Sequence, residues 1–266
     1  MTQQEIEKLL QKISNQRMYG ETCKALANLH VVSNAFPDEK IYLALLASTY
    51  MEAEVDDAAA EYCNKALAID PNYPEANEIL GMLAEKNNRF EQAEEYYQKT
   101  LAENIYFRNG HLRLVLLYYT QSRYDELVKE AEFMFQNFDK QRDNYTSNEK
   151  RNLNYDWLYL ISARLISALI RLEEYEKAIK YILERLNTAK SCIEDPYHFH
   201  QDDEKLYKLY YLLDNKEKIA EYEDRWLNHY KVPLSDIEGM QKDVQQGYIE
   251  SINMDNYNID KNGHSF

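Results

Sequence analysis

Apolar side chains recur along this chain at steps of three and four residues, the spacing that gathers them into one stripe of a helix. A longer period lies over the short one. Ala25, Ala59, Ala93 and Leu127 are each 34 residues apart, as are Leu29, Cys63, Tyr97 and Ala131, and Val32, Ala66, Thr100 and Met134. Leu46, Leu80 and Leu114 keep the step, followed at once by Ala47, Gly81 and Val115, and then by Tyr50, Ala84 and Tyr118. Pro37 and Pro71 are also 34 apart. A period of this length marks stacked helical units, each too small to cover its own apolar faces and each covered by its neighbour.

The stretch Lys40–Tyr73 shows the physics of one unit. Leu43, Leu46, Ala47 and Tyr50 share a stripe and predict a first helix over about 41–52. Ala59, Cys63, Ala66 and Leu67 predict a second over about 57–69. Asp56 and Asp57 stand where an N-cap and a favourable dipole charge are wanted. Asp70-Pro71 ends the second helix, because the residue before proline is pushed out of the α region. Small residues at Ala47, Gly81, Ala59 and Ala93 permit close approach of the two helices.

These residues resemble the tetratricopeptide repeat family. Its pattern is matched by Leu46-Ala47, Tyr50, Ala59, Ala66 and Pro71, by Leu80-Gly81, Phe90, Ala93 and Tyr97, and by the stretch NNRFEQAEEYYQKTLAEN at 87–104. The resemblance implies an all-α fold, a right-handed α-α superhelix of antiparallel helix pairs. It also implies a concave groove, lined by the first helix of each pair, where a peptide or helix of a partner protein lies.

The register gives repeats at 6–39, 40–73, 74–107 and 108–141, so that 1–141 forms a block of four. In the first, Lys12 and Gln16 replace apolar residues, as expected of a solvent-facing end. The polar run DKQRDNYTSNEKRNLN from Asp139 to Asn154 reads as a helix extension or loop, and 142–156 as an insertion. Over 157–231 a fifth pair (Leu165, Ile166, Leu169; Tyr175, Ala178, Ile182) is followed by a degenerate sixth (Leu206, Tyr207, Tyr210; Ile219, Tyr222, Trp226). Thus five to six repeats precede a capping helix at 232–250, where Ser235-Asp236-Ile237-Glu238 has a capping-box pattern and Gly239 and Gly247 weaken the helix. Residues 251–266 are expected to be disordered.

Composition narrows the function. The 6 Gly and 5 Pro in 266 residues suit long helices rather than a turn-rich sheet protein. No apolar run is long enough for a membrane span, and the first ten residues lack the apolar core of a secretory signal. Cys23, Cys63 and Cys192 have neither disulfide nor metal spacing, which makes a reducing cytoplasm the default location. Cys23 and Cys63 fall in second helices and are expected to be core residues. The net charge of −15 argues against nucleic acid as partner.

Counting from the register, the groove-facing candidates are Ala44, Ser48 and Met51 in the second unit and Glu78, Met82 and Lys86 in the third. The fourth supplies Asn109, Leu112, Arg113, Leu116 and Tyr119, and the fifth Arg164, Ser167 and Arg171. This mixed face suits an amphipathic helix or an extended peptide, the alternative being that Leu112, Leu116 and Tyr119 pack against the insertion or the C-terminal helix of the same chain. One subtype of the family grips the carboxylates of chaperone tails through a clamp of Lys, Asn and Arg. No three-unit window supplies it, and the partial matches reduce to Arg113 or Arg164. Either guanidinium could hold a carboxylate, the alternative being a salt bridge to a neighbouring Glu.

The sequence carries little catalytic chemistry. His198 and His200, followed by Asp202, Asp203 and Glu204, are the one histidine cluster and the one candidate metal site; an ordinary loop between helix pairs is the competing reading. No metalloprotease, nucleophile-elbow or phosphate-loop pattern occurs, and His30, His111 and His229 lack a Ser or Cys partner. The expectation is therefore a non-enzymatic, cofactor-free scaffold for a protein or peptide, with room for a homodimer through an end unit. A peptide-sensing regulator and a metal-binding protein or enzyme using 195–204 are the alternatives.

Overall fold

The computed structural model describes residues 2–102, 105, 107–137, 149–190 and 197–246. Among them lie thirteen α-helices, one π-helical turn and no strand. The fold is all-α and made of helical repeats. The helices are α1 (Gln3–Met18), α2 (Thr22–Ala35), α3 (Lys40–Glu52), α4 (Asp56–Ile69), α5 (Pro74–Lys86), α6 (Phe90–Lys99), α7 (Arg108–Thr120) and α8 (Tyr124–Gln136). They continue with α9 (Glu149–Arg171), α10 (Tyr175–Lys190), α11 (Tyr197–Leu212), α12 (Lys216–Asp224), which runs into the π turn Arg225–Tyr230, and α13 (Leu234–Gln245).

A single turn recurs between the two helices of each pair. Gly20, Glu54, Asn88, Ser122, Glu173 and Asp214 each follow a first helix in the left-handed region, with φ between 50° and 71°. After α5, the Asn88 N–H donates to the Glu85 carbonyl and the Arg89 N–H to the Ala84 carbonyl, both at 2.9 Å. The same two bonds occur at Glu54 and Val55, at Ser122 and Arg123, at Glu173 and Glu174, and at Asp214 and Asn215. This is the Schellman C-cap, which satisfies carbonyls left open by the last helical turn. The turn after α11, in the degenerate sixth pair, is of the same kind.

The chain divides into two compact units, Met1–Leu117 with Gln136–Gln141 and Tyr118–Phe135 with Arg142–Phe266, a division that falls inside α7. In the first unit, Leu43 and Ala47 of α3, Ala59, Cys63 and Ala66 of α4, and Ile79, Leu80 and Leu83 of α5 form one buried cluster. The second helix α4 is thus covered by α5 of the next pair, as the 34-residue columns predict. Burial pushes the Cys63 thiol up to about 12, the behaviour of an inert core cysteine. In the second unit, Ile161, Leu165, Ile166, Leu169 and Ile170 of α9 and Ala178 and Ile182 of α10 are buried.

Several local expectations are corrected. The first helix starts at Gln3, three residues ahead of the repeat register, because Thr2 caps it: Thr2 Oγ1 accepts from the Glu5 N–H at 3.3 Å and Glu5 accepts from the Thr2 N–H at 2.7 Å. Gln16 is buried rather than solvent-facing and accepts from Asn28 Nδ2 at 2.8 Å. Cys23 is exposed rather than core. Asp56 and Asp57 lie within the first turn of α4, where they serve the dipole, while the cap position is Val55. Ser235 and Glu238 form no capping box, since α13 begins at Leu234, with Pro233 rather than Ser235 at the cap. The fifth pair's first helix begins at Glu149, ahead of Tyr159, so over 149–154 the polar run is the helix extension and not the loop. The rest of that insertion and the 251–266 tail lie outside the described residues.

Candidate partner-binding surface

In the first unit, α3 and α5 neighbour one another, and Glu78 of α5 reaches α7. Glu78 accepts from Asn109 Nδ2 at 3.2 Å through Oε2 and from Arg113 Nε at 3.0 Å through Oε1. Three groove candidates from two repeats are thereby brought together. Ser48, Met51, Met82, Leu112 and Leu116 are half-buried. Ala44 is buried and presents nothing to solvent. Lys86 is exposed and pairs with Asp56 at 2.7 Å. Beneath this face the Tyr97 hydroxyl donates to Glu85 at 2.8 Å, and burial, reinforced by the Glu85 charge, holds that phenol far above its ordinary range. Arg113 is thus committed to Glu78, the salt-bridge alternative to gripping a partner's carboxylate.

The second unit treats its arginines differently. The Arg164 guanidinium lies 4.6 Å from the centroid of the Tyr119 ring, and that of Arg171 lies 5.7 Å from Tyr124. Arg164 is half-buried, and its Nε is buried without a hydrogen bond. Ser167, one turn along from Arg164, is buried. Tyr124 is a contributor that the sequence did not single out. The signal available was a tyrosine at the very start of a second helix, and the helical period alone does not point that position at α9.

No group of three or more potential metal ligands occurs among the described residues, and the three carboxylates that follow the histidines are paired. Asp202 pairs with Arg185, Asp203 with Arg225 at 3.1 Å and Glu204 with Lys208 at 2.6 Å. Each carboxylate proposed as a ligand therefore faces a cation. The side chains of His198 and His200, and Cys192, lie outside the described residues. His30 is structural: its Nε2 is 2.8 Å from the Tyr50 hydroxyl, and its ring meets Tyr50 and Tyr62 edge-on.

Two tetratricopeptide repeat family models match the sequence, one over residues 42–73 and one over 62–95. The matched stretches hold the columns and turns described above. The chain is a tetratricopeptide repeat protein. Repeats of this family build protein-interaction scaffolds, and that is the general class of this one. The repeat protein is similar in fold to PilF of Pseudomonas aeruginosa, at 16% identity and a TM-score of 0.58, covering 91% of this chain and 96% of that one. It is also similar to PilW, a type IV pilus biogenesis factor, at 16% identity and a TM-score of 0.55, covering 93% and 100%. MamA aligns at 19% identity and a TM-score of 0.50, covering 67% and 95%. At such identities the likeness carries the fold alone. No curated protein matches the sequence. No helix among the described residues is long and apolar enough to cross a membrane.

Proposed function

We propose that this tetratricopeptide repeat protein is a non-enzymatic scaffold that holds a peptide or helix of a protein partner along the exposed side of its first helices. One observation carries the reading: Glu78 ties Asn109 and Arg113 to its own helix, giving α5 and α7 a common polar ridge beside the half-buried Met82, Leu112 and Leu116. Apolar side chains left partly open beside fixed polar groups are what an amphipathic partner needs. Asp202, Asp203 and Glu204 face Arg and Lys side chains, which favours the scaffold over a metal-dependent enzyme.

The test is site-specific photocrosslinking of the full chain in native lysate. A crosslinker at Met82 is expected to capture a defined protein, and Leu112→Glu with Leu116→Glu is expected to abolish the capture. Equal capture of the same protein from exposed Asn64 on α4 would overturn the reading.

A further inference from the structure

We propose that Arg164 and Arg171 form a docking stripe for an acidic peptide segment, a proposal that rests on the scaffold reading and names the chemistry its partner would carry. The two residues are seven apart on α9, hence two turns apart on one face, about 10 Å along the axis. Each guanidinium lies over a tyrosine ring, Tyr119 for Arg164 and Tyr124 for Arg171, and neither has a carboxylate partner among the described residues. Arg17, Arg113, Arg123, Arg185 and Arg225, by contrast, each face an Asp or Glu, while the exposed Arg89 at the start of α6 has no carboxylate partner among the described residues either. In a chain with 46 acidic against 31 basic residues, two adjacent arginines held on rings and left without an anion are out of keeping with their surroundings.

The chemistry of the contact specifies the occupant. A ring beneath a guanidinium fixes the cation and leaves N–H groups for a ligand, those of the terminal nitrogens in Arg164, whose Nε is buried, and such a fork fits a carboxylate through two parallel hydrogen bonds. The spacing matches acidic residues three apart in a polyproline-II segment, which returns to the same face every third residue and rises about 9 Å over that distance. The net charge of −15 opposes a dense polyanion, so the segment carries isolated carboxylates separated by uncharged residues rather than a phosphate backbone. The site is a two-arginine stripe on one helix, unlike a clamp assembled from successive helices.

Fluorescence anisotropy of the full chain tests this with a short labelled peptide holding two glutamates three residues apart in a Ser/Leu background. Replacing both glutamates by glutamine is expected to weaken binding by about tenfold or more, and Arg171→Gln and Arg164→Lys by about tenfold each. Arg171 is exposed, so its variant reports on binding even if Arg164→Lys disturbs the fold. Equal binding of the glutamate and glutamine peptides, or wild-type affinity in both variants, overturns the stripe. Tighter binding of a doubly phosphoserine-substituted peptide would overturn the carboxylate assignment. Crosslinking at Met82 separates the two readings: capture there without arginine-dependent peptide binding leaves the scaffold standing and removes the stripe, and the reverse result removes the Met82 face.

Discussion

The ring of Tyr97 fills the space that a side chain at Gly81 would occupy: a Cβ built there would lie 2.6 Å from Tyr97 Cδ1. Tyr97 is fully buried and its hydroxyl is held by Glu85, so the ring has nowhere to turn. In Gly81→Ala the helix gains about 1 kcal/mol of propensity, while overpacking costs about 1–3 kcal/mol. A net loss of up to about 2 kcal/mol is expected. Gly239, in α13, has nothing within 4 Å of its would-be Cβ. Gly239→Ala is therefore expected to stabilise by about 0.5–1 kcal/mol. Urea-unfolding midpoints of the two variants should move in opposite directions; movement in the same direction would refute the close-approach account.

The left-handed turn residues give a second prediction. Glu54 adopts φ 58° with an exposed side chain, in the position that Gly20 occupies after the first helix. An L-residue there carries a Cβ clash of about 1–2 kcal/mol, partly offset by the extra freedom glycine has when unfolded. Glu54→Gly is expected to raise stability by up to about 1 kcal/mol, whereas Glu54→Ala, which keeps the clash, should not. Thermal unfolding of the two variants decides it, and equal transitions would remove strain as the explanation.

These two positions also show what could be read from the sequence. Gly81 was legible as a small residue at a helix crossing because its column repeats. The turn at Glu54, Asn88 and Ser122 was not, since three different side chains occupy it and the signal lies in the backbone. Among site residues, Arg113 and Arg164 stood as equivalent candidates. Their separation depends on Glu78 at one and Tyr119 at the other, contacts between repeats that a helical period does not specify. Gln16 misled because its partner, Asn28, sits on the neighbouring helix, and a polar residue without a visible partner reads as solvent-facing.

Buried tyrosines set the alkaline limit. Burial, then the Glu132 charge, pushes the Tyr181 phenol up to about 12 from an ordinary 10.0, and burial with Asp203 does the same for Tyr222. A folded-state value above the unfolded one means the fold holds the proton more tightly. The stabilisation is complete below about pH 10 and is lost as pH climbs from there through about 12. Denaturation midpoints should fall steeply over that window, and Tyr181→Phe should fall less steeply than the parent chain. A parent midpoint that stays flat to about pH 11 would contradict the burial of these phenols.

The Arg185–Asp202 pair offers the sharpest test of the second unit. Both residues are about 5% exposed or less, and Arg185 Nε donates to Asp202 Oδ2 at 3.0 Å, with a second contact from Nη2 to Oδ1. Their attraction largely offsets the cost of taking two charges out of water, so the pair adds little net stability but makes each charge depend on the other. Asp202→Ala strands the guanidinium and is expected to cost about 3–5 kcal/mol, less whatever the other contacts of Arg185 return. The double variant Arg185→Met with Asp202→Leu removes both charges and should recover most of that loss. A double-mutant cycle on urea midpoints measures the coupling. If the double variant is as unstable as Asp202→Ala, the pair is not what Asp202 supplies. A midpoint lowered by a chelator in the parent but not in Asp202→Ala would return Asp202 to the role of a metal ligand.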